Sequence, residues 1–113
     1  MKEIKAIIQP FMKEKVLAAL RKVDGLPGIT VSDVIGIGKP PARDGSMEDS
    51  KTGYPLVGKV KLELVVTDEL MPEVVGTIAA AAHTGNLGDG KIFVSPVLET
   101  VQIRTGAQGD QAI

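Results

Sequence analysis

Alternation opens the chain. In residues 3–9 (EIKAIIQ) the apolar side chains of Ile4, Ala6 and Ile8 fall on every second position, which predicts a strand. From residue 10 to residue 23 the spacing changes. Met12, Val16, Ala19, Leu20 and Val23 recur at three- and four-residue intervals, with Lys13, Glu14, Arg21 and Lys22 mostly on the opposite side. That is an amphipathic helix, and Gly25 with Pro27 and Gly28 is suited to end it. Residues 29–37 (ITVSDVIGI) return to a period of two, with Ile29, Val31 and Asp33 set against Thr30, Ser32 and Val34.

The same order then repeats. Residues 59–66 (KVKLELVV) place Val60, Leu62 and Leu64 opposite Lys61 and Glu63. Thr67 or Asp68 can cap a following helix, and Pro72 is tolerated in its first turn. Met71, Val74, Val75, Ile78, Ala81 and Ala82 form the apolar stripe of that helix. Residues 91–97 (KIFVSPV) read as a fourth long strand, and residues 99–103 as a short fifth. Strand–helix–strand used twice predicts an α+β, ferredoxin-like double split βαβ fold, with an antiparallel sheet and both helices on one face. Residues 1–113 are expected to form a single domain. The uncovered face of the sheet makes self-association the natural expectation.

Between the halves, residues 38–58 (GKPPARDGSMEDSKTGYPLVG) show no period and hold three prolines and four glycines. So long a stretch without regular structure is unusual within a compact domain. A functional loop fits better here than a tolerated insertion, because the rest of the chain is so economical.

Composition narrows the chemistry. A formal net charge of −1 gives no basic field to draw nucleic acid or an anionic surface. The three aromatics, Phe11, Tyr54 and Phe93, are too few for a base-stacking platform. With no cysteine and one histidine, His83, disulfides, thiolate sites and histidine clusters are all excluded. The first ten residues do not read as a signal peptide, no apolar run suffices to span a bilayer, and a cytoplasmic location is the default expectation.

Residues 84–91 (TGNLGDGK) carry the most chemistry. Gly85, Gly88 and Gly90 free the backbone for left-handed conformations in which successive N–H groups converge on an anion, and Lys91 adds a point charge. The segment is not a P-loop, since it runs from helix to strand and its lysine is followed by Ile92. From these residues alone, a helix cap at Gly85 and a tight glycine turn explain the string equally well. Taken alone, Arg104, Thr105 and Gly106 read as a solvated strand end. His83 fits a cation at a helix C-terminus better than a catalyst. Nothing in the spacing joins Asp33 to Glu63 as an acid–base pair, and no nucleophile–base set is apparent.

Together these segments resemble the PII nitrogen-regulatory family along nearly the whole chain. The stretches that carry it are 5–11 (KAIIQPF), 28–34 (GITVSDV), 36–38 (GIG), 59–63 (KVKLE), 84–94 (TGNLGDGKIFV), 103–106 (IRTG) and the final Ala112 and Ile113. The resemblance implies a homotrimer that regulates a partner, with ATP and ADP competing for clefts between subunits. Gly88, Asp89, Gly90 and Lys91 would then hold the phosphates, with Arg104 reaching them from a neighbouring subunit. Thr30, Glu63, Leu64 and Val65 would surround the adenine and ribose, and Gly36, Gly38 and Lys39 would form the base of the long loop. That loop, 38–58, corresponds to the family's mobile T-loop, which docks onto a membrane transporter, an enzyme or a regulator. A transporter partner would bring the protein to a membrane.

The departures shape the expectation further. Thr52 stands where many relatives carry a uridylylated tyrosine, Tyr54 lies in a different context, and Ser50 falls where some photosynthetic relatives carry a modified serine. Uridylylation is therefore not expected. Pro40 replaces a glutamine that assists magnesium and 2-oxoglutarate, and proline has no side-chain donor or acceptor. Gln9 replaces a lysine, and Gln102 replaces an arginine beside the phosphates. The expectation is a divergent regulator that binds ATP or ADP, preferring fewer phosphates, takes magnesium only with ATP, and senses 2-oxoglutarate weakly or not at all. The alternative is a small phosphate-handling enzyme on the same fold.

Overall fold

The computed structural model describes residues 1–37, 47–48 and 55–113. Gly38, Lys39, Pro40, Ser50, Thr52 and Tyr54 lie outside the described residues, and with them the expectations placed on the centre of the long loop.

Four long strands are β1 (Lys2–Ile8), β2 (Thr30–Ile37), β4 (Pro55–Val66) and β5 (Lys91–Pro96); β3 (Met47–Glu48) is a two-residue addition. The helices are α1 (Lys13–Leu20) and α2 (Met71–Ala82). The sheet order is β2-β4-β1-β5, with β3 paired to β4 off this path. Every pairing is antiparallel. This is the expected ferredoxin-like arrangement, in which each helix connects strands separated by one belonging to the other half.

The core follows the two periods read from the chain. Ile4, Ala6 and Ile8 of β1 and Val60, Leu62, Leu64 and Val66 of β4 are buried against Val16, Leu20, Val74, Ile78 and Ala82 from the helices. No polar side chain among the described residues is buried with them. The opposite sheet face is mixed. In register, Thr30, Glu63, Lys5 and Phe93 lie side by side, followed by Ser32, Lys61, Ile7 and Lys91. Charged side chains share this face with Ile7 and Phe93. Phe93 is exposed on this face, and further exposed apolar side chains stand on edge strand β2 (Val31, Ile35 and Ile37) and in the C-terminal segment (Leu98, Val101 and Ile103).

Four local expectations are corrected. The stretch 38–58 is not irregular throughout: Met47–Glu48 form β3 against Leu56 and Pro55, and β4 begins at Pro55 rather than at Lys59. The first helix is shorter than its periodic stretch: Pro10–Met12 is a 3-10 turn, and α1 ends at Leu20. Beyond it, Lys22 N–H donates to Ala19 O and Val23 N–H to Leu20 O, tighter turns that still bring Val23 into the core. Asp68 does not cap α2; its carboxylate lies 2.9 Å from the Met1 amine. Thr67 Oγ1 accepts from the Leu70 N–H at 3.3 Å in the turn that enters α2. The fifth strand is absent among the described residues, replaced by one bridge between Val101 and Gln108. There the chain folds back on itself, with Gln102 N–H donating to Ala107 O and Gly106 N–H to Gln102 O, both at 2.8 Å. Gly106 takes a positive φ of 74° at the turn, leaving Ile103 exposed.

Candidate functional site

The glycine loop is a built structure. Between α2 and β5, Gly85, Gly88 and Gly90 all have positive φ, at 88°, 94° and 98°. The loop closes on Asp89. Its Oδ2 accepts from the Thr84 N–H at 2.8 Å and the Gly85 N–H at 2.9 Å, and Oδ1 accepts from the Thr84 hydroxyl. Thr84 Oγ1 in turn accepts from the Asn86 N–H at 3.1 Å. Asp89 was expected among the phosphate-holding residues, but its carboxylate is spent inside the loop, so only its backbone N–H can face a ligand. Spacing alone does not reveal this, since an aspartate between two glycines reads equally well as a ligand or as a brace.

Below the loop, Lys59 Nζ donates to Gly88 O at 2.5 Å. A Cβ on Gly88 would stand 2.8 Å from Gln9 Nε2, and one on Gly90 would fall 1.7 Å from Ile7 O. The loop therefore lies directly on the end of β1. Among the described residues, no turn or side-chain hydrogen bond engages the N–H groups of Gly88, Asp89 or Gly90. Exposed Lys91 follows at once. Backbone N–H groups left without a partner in a glycine turn, next to a lysine, have the composition of an anion-binding nest. Gly36 lies towards the same end of the sheet, two residues beyond Val34, the partner of Lys59.

The hydrogen bonds from Thr84 and Gly85 to Asp89 stabilise its charged form and hold its carboxyl below the ordinary aspartate value. Because the folded value is depressed, the brace is complete above the unfolded value and is lost as pH falls through the folded one. We expect the Asp89 carboxyl carbon, followed by NMR, to titrate below an unstructured aspartate. The Thr84 and Gly85 amide signals should shift with the same midpoint, and Asp89→Ala should abolish that transition.

Thr30, Glu63, Leu64 and Val65 come together in a second place. They line a cleft of about 350 Å³ with Glu3 and Gly28. Pairing between β2 and β4 ends at Thr30 and Glu63, while Leu64 and Val65 continue to pair with Ile4 and Glu3 of β1. The β4 backbone beyond Glu63 consequently has an edge facing the cleft with no strand beside it. Glu63 lies four residues along β4 from Lys59, roughly 13 Å at strand spacing. The glycine loop and the cleft are thus separate features of one chain.

Arg104 lines neither this cleft nor the shallow cavity of about 260 Å³ beside His83, Asp89 and Lys91. The segment leading to it is held at the other end of β1: Val97 N–H donates to Met1 O at 3.1 Å, and Thr100 Oγ1 lies 3.2 Å from Met1 Sδ. Glu3 and Gly28 were not singled out from the sequence. Periodicity places Glu3 on a face of β1 but does not say which residues of β4 stand beside it.

The fold is a ferredoxin-like sheet carrying a glycine loop braced by Asp89, and among the described residues no three His, Cys, Asp or Glu side chains are grouped so that they could hold a metal. Residues 1–107 match the model of the family described as nitrogen regulatory protein P-II. The protein of that name from Azospirillum brasilense is 44% identical over 113 residues, with both chains covered in full. Its counterpart from Microchaete diplosiphon is 42% identical, again with full coverage of both. A crystal structure of Arabidopsis thaliana PII bound to citrate aligns with a TM-score of 0.79 at 38% identity, covering 99% of this chain and 91% of that one. The chain belongs to the nitrogen regulatory protein P-II family. It is a signal-transduction protein rather than an enzyme, and the phosphate-handling enzyme considered as an alternative finds no support among these relatives. Among the described residues, no helix is long and apolar enough to cross a membrane.

Proposed function

We propose that this protein is a nucleotide-responsive regulator that binds ATP or ADP between subunits of a homotrimer and signals through residues 38–58. The observation that carries the reading is the trio of unused N–H groups at Gly88, Asp89 and Gly90 beside Lys91. Such a nest takes the phosphates. The cleft at Thr30, Glu63, Leu64 and Val65 takes the nucleoside, with the open β4 edge offering backbone donors and acceptors to the base.

The placement of Arg104 favours assembly. Its segment is anchored to Met1, whereas the glycine loop sits beyond Ile7 at the opposite end of β1. A guanidinium that serves the phosphates therefore comes from another copy, and the exposed apolar residues of β2 and the C-terminal segment supply surface for that contact. The roots of the long loop pair at Ile37 and Leu56, close in sequence to Gly36 and Lys59. Ligand at the nest can thereby bias the loop that meets a transporter, enzyme or regulator. With proline at position 40 in place of a metal-coordinating side chain, 2-oxoglutarate sensing is weak or absent and magnesium enters only with ATP.

Calorimetric titration with ATP and ADP, with and without magnesium and 2-oxoglutarate, tests this directly. Saturable nucleotide binding indifferent to 2-oxoglutarate is expected, on a particle of three times the 11.9 kDa chain mass by light scattering. Failure of both nucleotides to bind would reject the reading. Subunit sharing has its own test. Arg104→Ala and Lys91→Ala homotrimers should each bind poorly, while trimers mixed from the two variants should regain binding at the sites that pair an intact Lys91 with an intact Arg104.

A further inference from the structure

Two carboxylates border the cleft assigned above to the nucleoside, and they are not equivalent. Glu63 Oε1 lies 3.2 Å from Lys61 Nζ, so a cation already answers its charge. Glu3 lines the same cleft, diagonal to Glu63 across the β1–β4 pairing, and forms no ion pair among the described residues. It is half-buried, which limits how fully water can substitute for a partner. Among the described residues, the only other polar side chain lining it is Thr30, with backbone groups of Gly28, Leu64 and Val65. An unpaired carboxylate accepts hydrogen bonds and repels phosphate.

We infer that Glu3 is a specificity-determining residue of the nucleotide site. It accepts a hydrogen bond from a donor on the nucleoside, and its charge fixes the direction in which the ligand lies. This inference rests on the nucleotide reading and deepens it. A phosphate chain entering the cleft would meet the Glu3 carboxylate, whereas at the glycine loop it meets free N–H groups and Lys91. The donor is either a ribose hydroxyl or the exocyclic amine of adenine. Both satisfy a carboxylate, with the charge-assisted bond that such an acceptor makes.

The test uses the full assembled protein and three probes: ATP, inosine triphosphate (which lacks the amine) and 2′,3′-dideoxyadenosine triphosphate (which lacks both ribose hydroxyls). Glu3→Ala should weaken ATP binding about tenfold or more, the usual range for a lost bond to a charged acceptor. Glu3→Gln, whose amide oxygen still accepts, should lose less. The deficit of Glu3→Ala should vanish for the one analogue that lacks the donor, which identifies the base or the sugar as its source. Unchanged ATP binding by Glu3→Ala would overturn the inference. So would an equal loss with all three probes, the result of a merely structural or long-range effect. If the unaltered protein binds none of the probes, the nucleotide reading itself fails, and that titration alone separates the two outcomes.

Discussion

Gly90→Ala is expected to abolish high-affinity nucleotide binding and to lower stability together. The added methyl would fall 1.7 Å from Ile7 O and 2.8 Å from Ile7 C, at a φ of 98° that L residues rarely adopt. The obstacle is backbone of a central strand, so no side chain can rotate away. The loop must lift off β1, carrying the Gly88, Asp89 and Gly90 N–H groups and Lys91 out of alignment. Left-handed strain alone costs about 1–2 kcal/mol, and with the displaced contact a total of about 2–4 kcal/mol is expected. Chemical denaturation should show that loss, and calorimetry should show binding weakened by at least a hundredfold. Gly85→Ala is the control. It shares the positive φ, but its nearest contact would be the His83 ring at 3.6 Å. It should therefore bear the conformational cost without the collision, and retain much more of the binding.

Leu62→Ala should have the largest effect on stability, with a different signature. Leu62 is fully buried on β4, paired in register with Val31 on one side and Ala6 on the other. Truncating a buried leucine costs about 2–5 kcal/mol, from lost transfer energy and the cavity left behind. This sheet offers little to close that cavity, because β1 and β4 are hydrogen-bonded along seven residue pairs and cannot slide independently. The expected result is a lower denaturation midpoint with an unchanged slope, and near-normal nucleotide affinity in the protein that remains folded. A comparable loss of affinity in fully folded Leu62→Ala would mean that the cleft floor at Leu64 and Val65 depends on core packing as well as on strand pairing.

The contrast between these positions tracks what can be read along the chain. A period of two at Ile4, Ala6 and Ile8 and a period near 3.6 at Val16, Leu20, Val74 and Ile78 assign the buried faces, because burial is a property of each element taken singly. Element ends were less legible. α1 stops at Leu20 although its apolar spacing runs on to Val23, since tighter turns can keep a side chain in the core after the helix itself has ended. Asp68 looked like a cap and instead faces the Met1 amine, a partner 67 residues away. The C-terminal stretch alternates like a strand but, among the described residues, pairs only with its own return at Gln108.

For the candidate site the division is similar. The glycines of residues 84–91 mark a left-handed turn by residue type, because only glycine holds positive φ cheaply at three places so close together, but they do not by themselves separate an anion loop from a simple glycine turn. That Asp89 braces the loop, that Lys59 holds Gly88 O, and that Glu3 stands unpaired in the cleft with Thr30 and Glu63 all required the strands to be placed in register. The sequence by itself determined the fold class and the buried faces of β1, β4 and the two helices, consequences of local geometry and side-chain polarity. Only the tertiary structure decided which distant groups share a cleft and that the segment leading to Arg104 is tied to Met1. Those depend on contacts between residues far apart in sequence, and no local period encodes them.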